Sequence, residues 1–266
     1  MFKIIRILVL LIILMSVWTT LSLQKNVGDD WNTSLDIRII PVIADSSPKT
    51  ARFVGQLDQK HFANIRRYLI SQGKRYQQDL QSVVSIKIAN AITKPPPVTP
   101  NTNQSTLDII LWSLKLRWWA WRNQADDYHA KQIRMYVLYQ SPEGEQPLPH
   151  STGLQNGLIG LIQARADARN RSLHATIITH ELLHVFGASD KYDITTGQPL
   201  FPQGYANTDD GKRYPQNRAE IMARAIPLSN GKFEVATRLG QTVIGRDTAN
   251  EIGWISSKND SETPHQ

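Results

Sequence analysis

Two histidines lie four residues apart, with a glutamate directly after the first: His180, Glu181 and His184 within SLHATIITHELLHVFGASDKYD. On a helix that spacing puts both imidazoles on one face, one turn above the other. Imidazole nitrogens bind zinc at about 2.0–2.1 Å, so the pair can converge on one ion and leave Glu181 beside it to handle a bound water. Gly187 falls where helices commonly end in a left-handed residue, and a turn there can bring Asp190, six residues beyond His184, to the same ion as a third ligand. Asp193 is the rival for that position.

The helix that must hold the pair is apolar nearly all round, with Leu173, Ile177, Ile178, Leu182, Leu183, Val185 and Phe186, which marks a buried central element. Ser172 or Asn170 can cap its start. Upstream, LDIRIIPVIAD (35–45) reads as a buried strand closed by Ser46, Ser47 and Pro48. Between Leu57 and Tyr76, the residues Phe62, Ile65, Leu69 and Ile70 recur at helical spacing. VVSIKIANAI (83–92) returns to strand character, the proline-rich KPPPVTPNTNQS is a loop, and a helix is expected from Thr106 to Gln124, capped by Ser105 or Thr106. QIRMYVLYQ (132–140) and GLIGLIQA (157–164) read as strands joined by a loop containing Pro147, Pro149 and Gly153. No internal repeat is visible. Strands mixed with helices in this order predict one α+β domain over residues 35–256, after a linker at 25–34 and before a polar tail at 257–266.

HELLHVFGASD resembles the HExxHxxGxxD signature of metzincin-type zinc metallopeptidases, in the variant with Asp as third ligand known from the snapalysin-like proteases. Lys191 and Tyr192 extend the likeness, and the order of strand, helix, strands, active helix, long loop and C-terminal helix is similar too. The resemblance implies a zincin-like fold with a mixed sheet, a central active-site helix and a C-terminal helix. It implies Zn2+ held by His180, His184 and Asp190, and hydrolysis of a peptide or protein substrate with Glu181 as general base. A methionine turn beneath the metal is implied as well; Met222 in AEIMA, thirty-two residues after Asp190, is the candidate, with gap-filling in the core as its plainer role. In that arrangement GLIGLIQA would be the edge strand along which a peptide pairs, an internal strand being the alternative. ARAIP lacks the tyrosine that some members carry after that methionine, and Tyr192, Tyr205 and Tyr214 read as structural. The competing functional reading is a tethered zinc-containing binding or scaffold module with little turnover. Glu181 argues against it, because a purely structural site needs no general base.

The remaining sequence bounds the setting. With 266 residues, 41% hydrophobic and 20% charged, the composition is that of an ordinary globular protein and speaks against wholesale disorder, collagen or a polytopic membrane architecture. The absence of cysteine excludes disulfides, cysteine-ligated zinc, iron–sulfur clusters and thiol nucleophiles. The net charge of +7 is scattered, no recognition motif accompanies it, and no nucleic-acid partner is expected. Lys3 and Arg6 precede an apolar stretch from Ile7 to Leu23, interrupted only by Ser16, Thr19, Thr20 and Ser22, so residues 1–24 read as a signal anchor or signal peptide. Positive charge ahead of that stretch sends the body across the membrane. An extracytoplasmic location follows, tethered to the inner membrane and facing the periplasm, or secreted if the segment is cleaved. LWSLKLRWWAWRN gathers Trp112, Trp118, Trp119 and Trp121 with Lys115, Arg117 and Arg122. The plain reading is a core helix with cations outward; the other is a helix that lies at a membrane interface or docks a partner. Asp193, Asp209 and Asp210 lack calcium-loop spacing, and His61, His129, His150, His174 and His265 lack partner spacing.

Overall fold

The computed structural model describes residues 6, 31, 33–99, 105–124, 129, 131–143, 148–155, 157–208 and 211–255. The segment Ile7–Leu23, the Asp209–Asp210 pair, His265 and the polar tail lie outside the described residues. Among the described residues no helix is long and apolar enough to cross a membrane.

The protein is a mixed α+β fold built on a five-stranded sheet. Its strands are β1 (Leu35–Ile43), β2 (Val84–Ile88), β3 (Ile133–Gln140), β4 (Thr152–Leu154) and β5 (Ile159–Arg165), in the order β2-β1-β3-β5-β4. β2, β1, β3 and β5 pair in parallel, while β4 runs antiparallel on β5. β3 is buried at every position up to Tyr139, as a central parallel strand covered on both faces must be. On one face Ile37, Ile39, Met135, Val137 and Ile162 join a core with α1 (Pro48–Gly55), α2 (Ala63–Lys74) and α4 (Arg171–Val185). On the other, α3 (Thr106–Arg122) covers Ile40, Val42, Tyr136, Leu138 and Leu161. The Ser47–Pro48 pair that closes β1 also opens α1, an element absent from the sequence reading: Ser47 accepts from the Lys49 N–H, and Pro48 suits a first helical turn.

GLIGLIQA becomes β5, but it is an internal strand, flanked by β3 and β4. The edge on that side of the sheet belongs to β4, three residues in a stretch that reads as loop because it is too short to show a period. Gly153 at its centre lies hard against α4: a Cβ there would sit 2.3 Å from the Glu181 carbonyl oxygen and 2.6 Å from the His184 Cβ.

Helix α4 is buried almost throughout, with Ala175, Ile178, Leu182 and Leu183 in the core. Asn170 occupies its N-cap position without a capping side-chain bond, because a short 3₁₀ turn at Ala168–Asn170 precedes it and Asp167 caps that turn by accepting from the Arg169 N–H. At the other end Gly187 has φ +103°; its N–H donates to the His184 carbonyl and the Ala188 N–H donates to that of Leu183, the crossed pair of bonds that stops a helix sharply. The C-terminal part adds the two-residue pairing of β6 (Ala219–Glu220) with β9 (Thr242–Val243), the hairpin of β7 (Ala225–Ser229) and β8 (Lys232–Val235), and α5 (Arg246–Glu251), a C-terminal helix of only six residues. Trp31 joins the chain's beginning to its end: its indole N–H donates to the Ile252 carbonyl, and its ring packs on Phe186 and Trp254.

His174, in the first turns of α4, is buried edge-on against Tyr139, and burial pushes its pKa down from 6.5 to about 4 although Asp167 pulls the other way. The unfolded chain therefore takes up this proton first. The stability gained by keeping His174 neutral is complete above pH 6.5 and falls by about 1.4 kcal/mol per pH unit below it. His174→Phe retains the ring contact but removes the proton. Denaturant titrations at successive pH values should show the stability difference between wild type and variant level above pH 6.5 and sloping between 6.5 and about 4; parallel curves throughout would contradict this.

Candidate metal centre

The sharp stop at Gly187 returns the chain past the end of α4 and sets Asp190 against the two histidines. His180 Nε2 and His184 Nε2 lie 3.1 Å apart, and Asp190 Oδ1 is 3.2 Å from each. A tetrahedral ion about 2.0–2.1 Å from its ligands spaces them roughly 3.3–3.4 Å apart, so this triangle already has nearly the size such an ion requires. Each ring is oriented from behind: His180 Nδ1 is 3.0 Å from the Ile221 carbonyl oxygen and His184 Nδ1 2.7 Å from that of Ala188. A carbonyl oxygen can only accept, so both Nδ1 atoms carry the proton and both Nε2 lone pairs face the common point. Side-chain exposure rises from 7% at His180 through 18% at His184 to 41% at Asp190, which leaves one side of the triangle open to solvent. The three residues form a group that can hold a metal ion. Burial by itself would raise the Asp190 carboxyl, but imidazoles that carry a second proton on Nε2 outweigh that by hydrogen bond and charge, and hold it well below the usual carboxylate range.

Glu181 points into the same region and is nearly buried. Desolvation raises its pKa against the opposing pull of His180 and His184, and its Oε2 has no hydrogen-bond partner among the described residues. Asp193, the rival ligand, is occupied elsewhere: its Oδ1 accepts from the Thr195 and Thr196 N–H groups and from the Thr196 hydroxyl. Tyr205 and Tyr214 bond to each other at 3.1 Å. Tyr192, by contrast, lies next to Asp190, with the Arg224 guanidinium 5.6 Å from its ring centroid.

Met222 lies fully buried in the 3₁₀ turn Ile221–Ala223, the turn whose Ile221 carbonyl orients His180. The Lys191 N–H donates to the Met222 carbonyl, so this turn also fixes the residue after Asp190. The turn is itself held by Glu220, which nothing in the sequence singles out. Its Oε2 accepts from the Met222 and Ala223 N–H groups, and its Oε1 from the Gly245 N–H and the Thr248 hydroxyl. Burial raises the Glu220 pKa although these donors favour the charged form. Lys191 extends the support from below, its ammonium contacting both carboxylate oxygens of Glu251 at 2.6 and 2.7 Å together with Ser189. Arg224 leaves the turn at φ +65°, an uncommon conformation for a non-glycine residue.

No family model and no curated protein matches the chain. A solved structure described as "Structure of a chaperone-substrate complex" aligns at 12% identity over 84% of this chain and 34% of that chain, with a TM-score of 0.38. The chain thus spans about a third of that chain's length, and the likeness is too loose to carry fold or function across.

Two measurements check the centre. Metal analysis after purification should find about one equivalent in wild type and in Asp193→Ala, and a loss of at least tenfold in affinity in Asp190→Ala; retention by Asp190→Ala would refute the triangle. Glu220→Gln places an NH2 against backbone donors and should cost about 2–3 kcal/mol in denaturant unfolding, whereas a change within a few tenths would show that Glu220 does not hold the turn.

Proposed function

We propose that this chain is a zinc-dependent endopeptidase of metzincin-like fold, its body exported across a membrane behind the Ile7–Leu23 segment. The observation that carries the proposal is the open triangle of two imidazoles and one carboxylate, with the unpartnered Glu181 oxygen buried beside it. A purely structural zinc site is normally closed by four protein ligands, whereas three ligands and an open side are the pattern of hydrolytic centres. Further support comes from the turn around buried Met222 beneath His180 and from the antiparallel edge strand passing over the helix that bears both histidines.

Zinc, when held by His180, His184 and Asp190, supplies Lewis acidity to a peptide carbonyl and to a water molecule. The chain's own groups do the rest. Glu181, desolvated and free at Oε2, takes a proton from the attacking water and delivers it to the nitrogen of the departing amine. β4 has one edge unpaired in the sheet, so an extended peptide can add there through main-chain hydrogen bonds, with Gly153 allowing the strand to lie directly on α4. The nearly buried imidazoles, oriented by Ile221 and Ala188, need no rearrangement during turnover.

The full chain in detergent should cleave an unfolded protein substrate, lose that activity to a chelator and regain it with stoichiometric zinc. Glu181→Ala should retain its zinc while kcat/KM falls by about 10²–10⁴. Zinc bound by both proteins with no cleavage that depends on Glu181 would end the peptidase proposal.

A further inference from the structure

Helix α3 has two apolar faces and only one sheet. Trp112, Leu116, Trp119 and Ala120 are buried against the strands. Leu107, Ile110, Leu111, Leu114, Trp118 and Trp121 are exposed, Leu107 to 70% and Trp121 to 61%. At about 100° per residue these six fall on one stripe roughly 100° wide, directly opposite the buried face. Cations border the stripe on both sides, Arg117 along one and Lys115 with Arg122 along the other, and the Arg122 guanidinium lies over the Trp118 ring at 5.1 Å. The helix contains a single acid, Asp108, which is engaged with Ser105 in the first-turn cap.

We propose that α3 docks flat onto a lipid bilayer bearing anionic headgroups. Tryptophan and leucine on one face with lysine and arginine at its margins is the composition of a helix lying in the membrane interface, where the rings enter the headgroup boundary and the cations reach up to phosphate. The chain's own layout points the same way. The apolar segment ends at Leu23 and the chain is next held at Trp31, eight residues on, a separation that an extended chain spans within about 30 Å, so the body stays close to any bilayer that holds that segment. β1 pairs at Ile37 with Ile133, and the neighbouring Arg134 and Tyr136 side chains both donate to the Ala120 carbonyl in the last turns of α3. The tryptophan-bearing end of α3 therefore overlies the N-terminal ends of β1 and β3. A second copy is a poor occupant, because two such stripes would bring cation against cation with no acid to pair them. α3 and α4 cover opposite faces of the sheet, so docking turns the metal centre away from the bilayer.

The chain has no cysteine, so single thiols report one position each. Leu114→Cys and Trp118→Cys, with Glu234→Cys on the distant β8 hairpin, would each be labelled with an environment-sensitive fluorophore in the full chain. The labelled proteins are then bound to vesicles of equal parts phosphatidylcholine and phosphatidylglycerol. Emission at 114 and 118 should shift to the blue and be quenched several-fold by nitroxide-labelled lipid, while the label at 234 does neither; Lys115→Gln with Arg122→Gln should weaken the quenching. The readout is the helix itself, so a tether that merely holds the protein at the vesicle gives no signal at 114 or 118. Blue-shifted emission without lipid quenching would mean that a protein or a second copy covers the face. Either that result or labels at 114 and 118 as polar and unquenched as at 234 would overturn the proposal.

Discussion

The centre depends on two backbone carbonyls. Ile221 O and Ala188 O each take the Nδ1 proton of one histidine, and this alone decides that both Nε2 lone pairs face a common point rather than solvent or each other's protons. The two carbonyls come from different segments, so the site exists only when the end of α4, the following loop and the Met222 turn are all in place. The Ala188 carbonyl is delivered by the sharp stop at Gly187, and the Ile221 carbonyl by a turn anchored on the buried Glu220.

This dependence explains why polar groups are tolerated in the core behind His180, His184 and Asp190. Glu220 and Lys191 are both nearly inaccessible, and a buried charge is costly unless it is surrounded by partners. Glu220 has four donors and Lys191 has a carboxylate and a hydroxyl, and together they tie the Met222 turn and α5 to the loop that carries Asp190. The sheet contributes from the other side: Gly153 lets β4 lie in contact with the helix turn that bears Glu181 and His184. A triangle of two imidazoles and a carboxylate, a desolvated glutamate and the strand at the sheet's edge thus meet in one place.

Much of this was legible in the sequence, and the exceptions have physical reasons. The four-residue spacing of the histidines and the apolar surface of α4 announce both a metal pair and a central helix, because side-chain direction on a helix follows from spacing alone. Asp190 could not be separated from Asp193 by spacing; the loop decides, giving Asp193 to its own backbone and Asp190 to the imidazoles. β4 is too short to show a pattern, and so the edge of the sheet was expected one strand too far in. Glu220 looks like any surface acid until the turn closes around it. α3 shows the core packing of its plain reading in Trp112 and Trp119, while Trp118 and Trp121 face outward, which spacing alone did not sort.

X-ray absorption at the zinc edge on the purified full chain tests the central claim most directly. The account predicts one zinc per chain with a first shell of nitrogen and oxygen scatterers at about 2.0–2.1 Å, including the outer-shell signature of two imidazoles. A spectrum with no imidazole signal, or with only one, would contradict it.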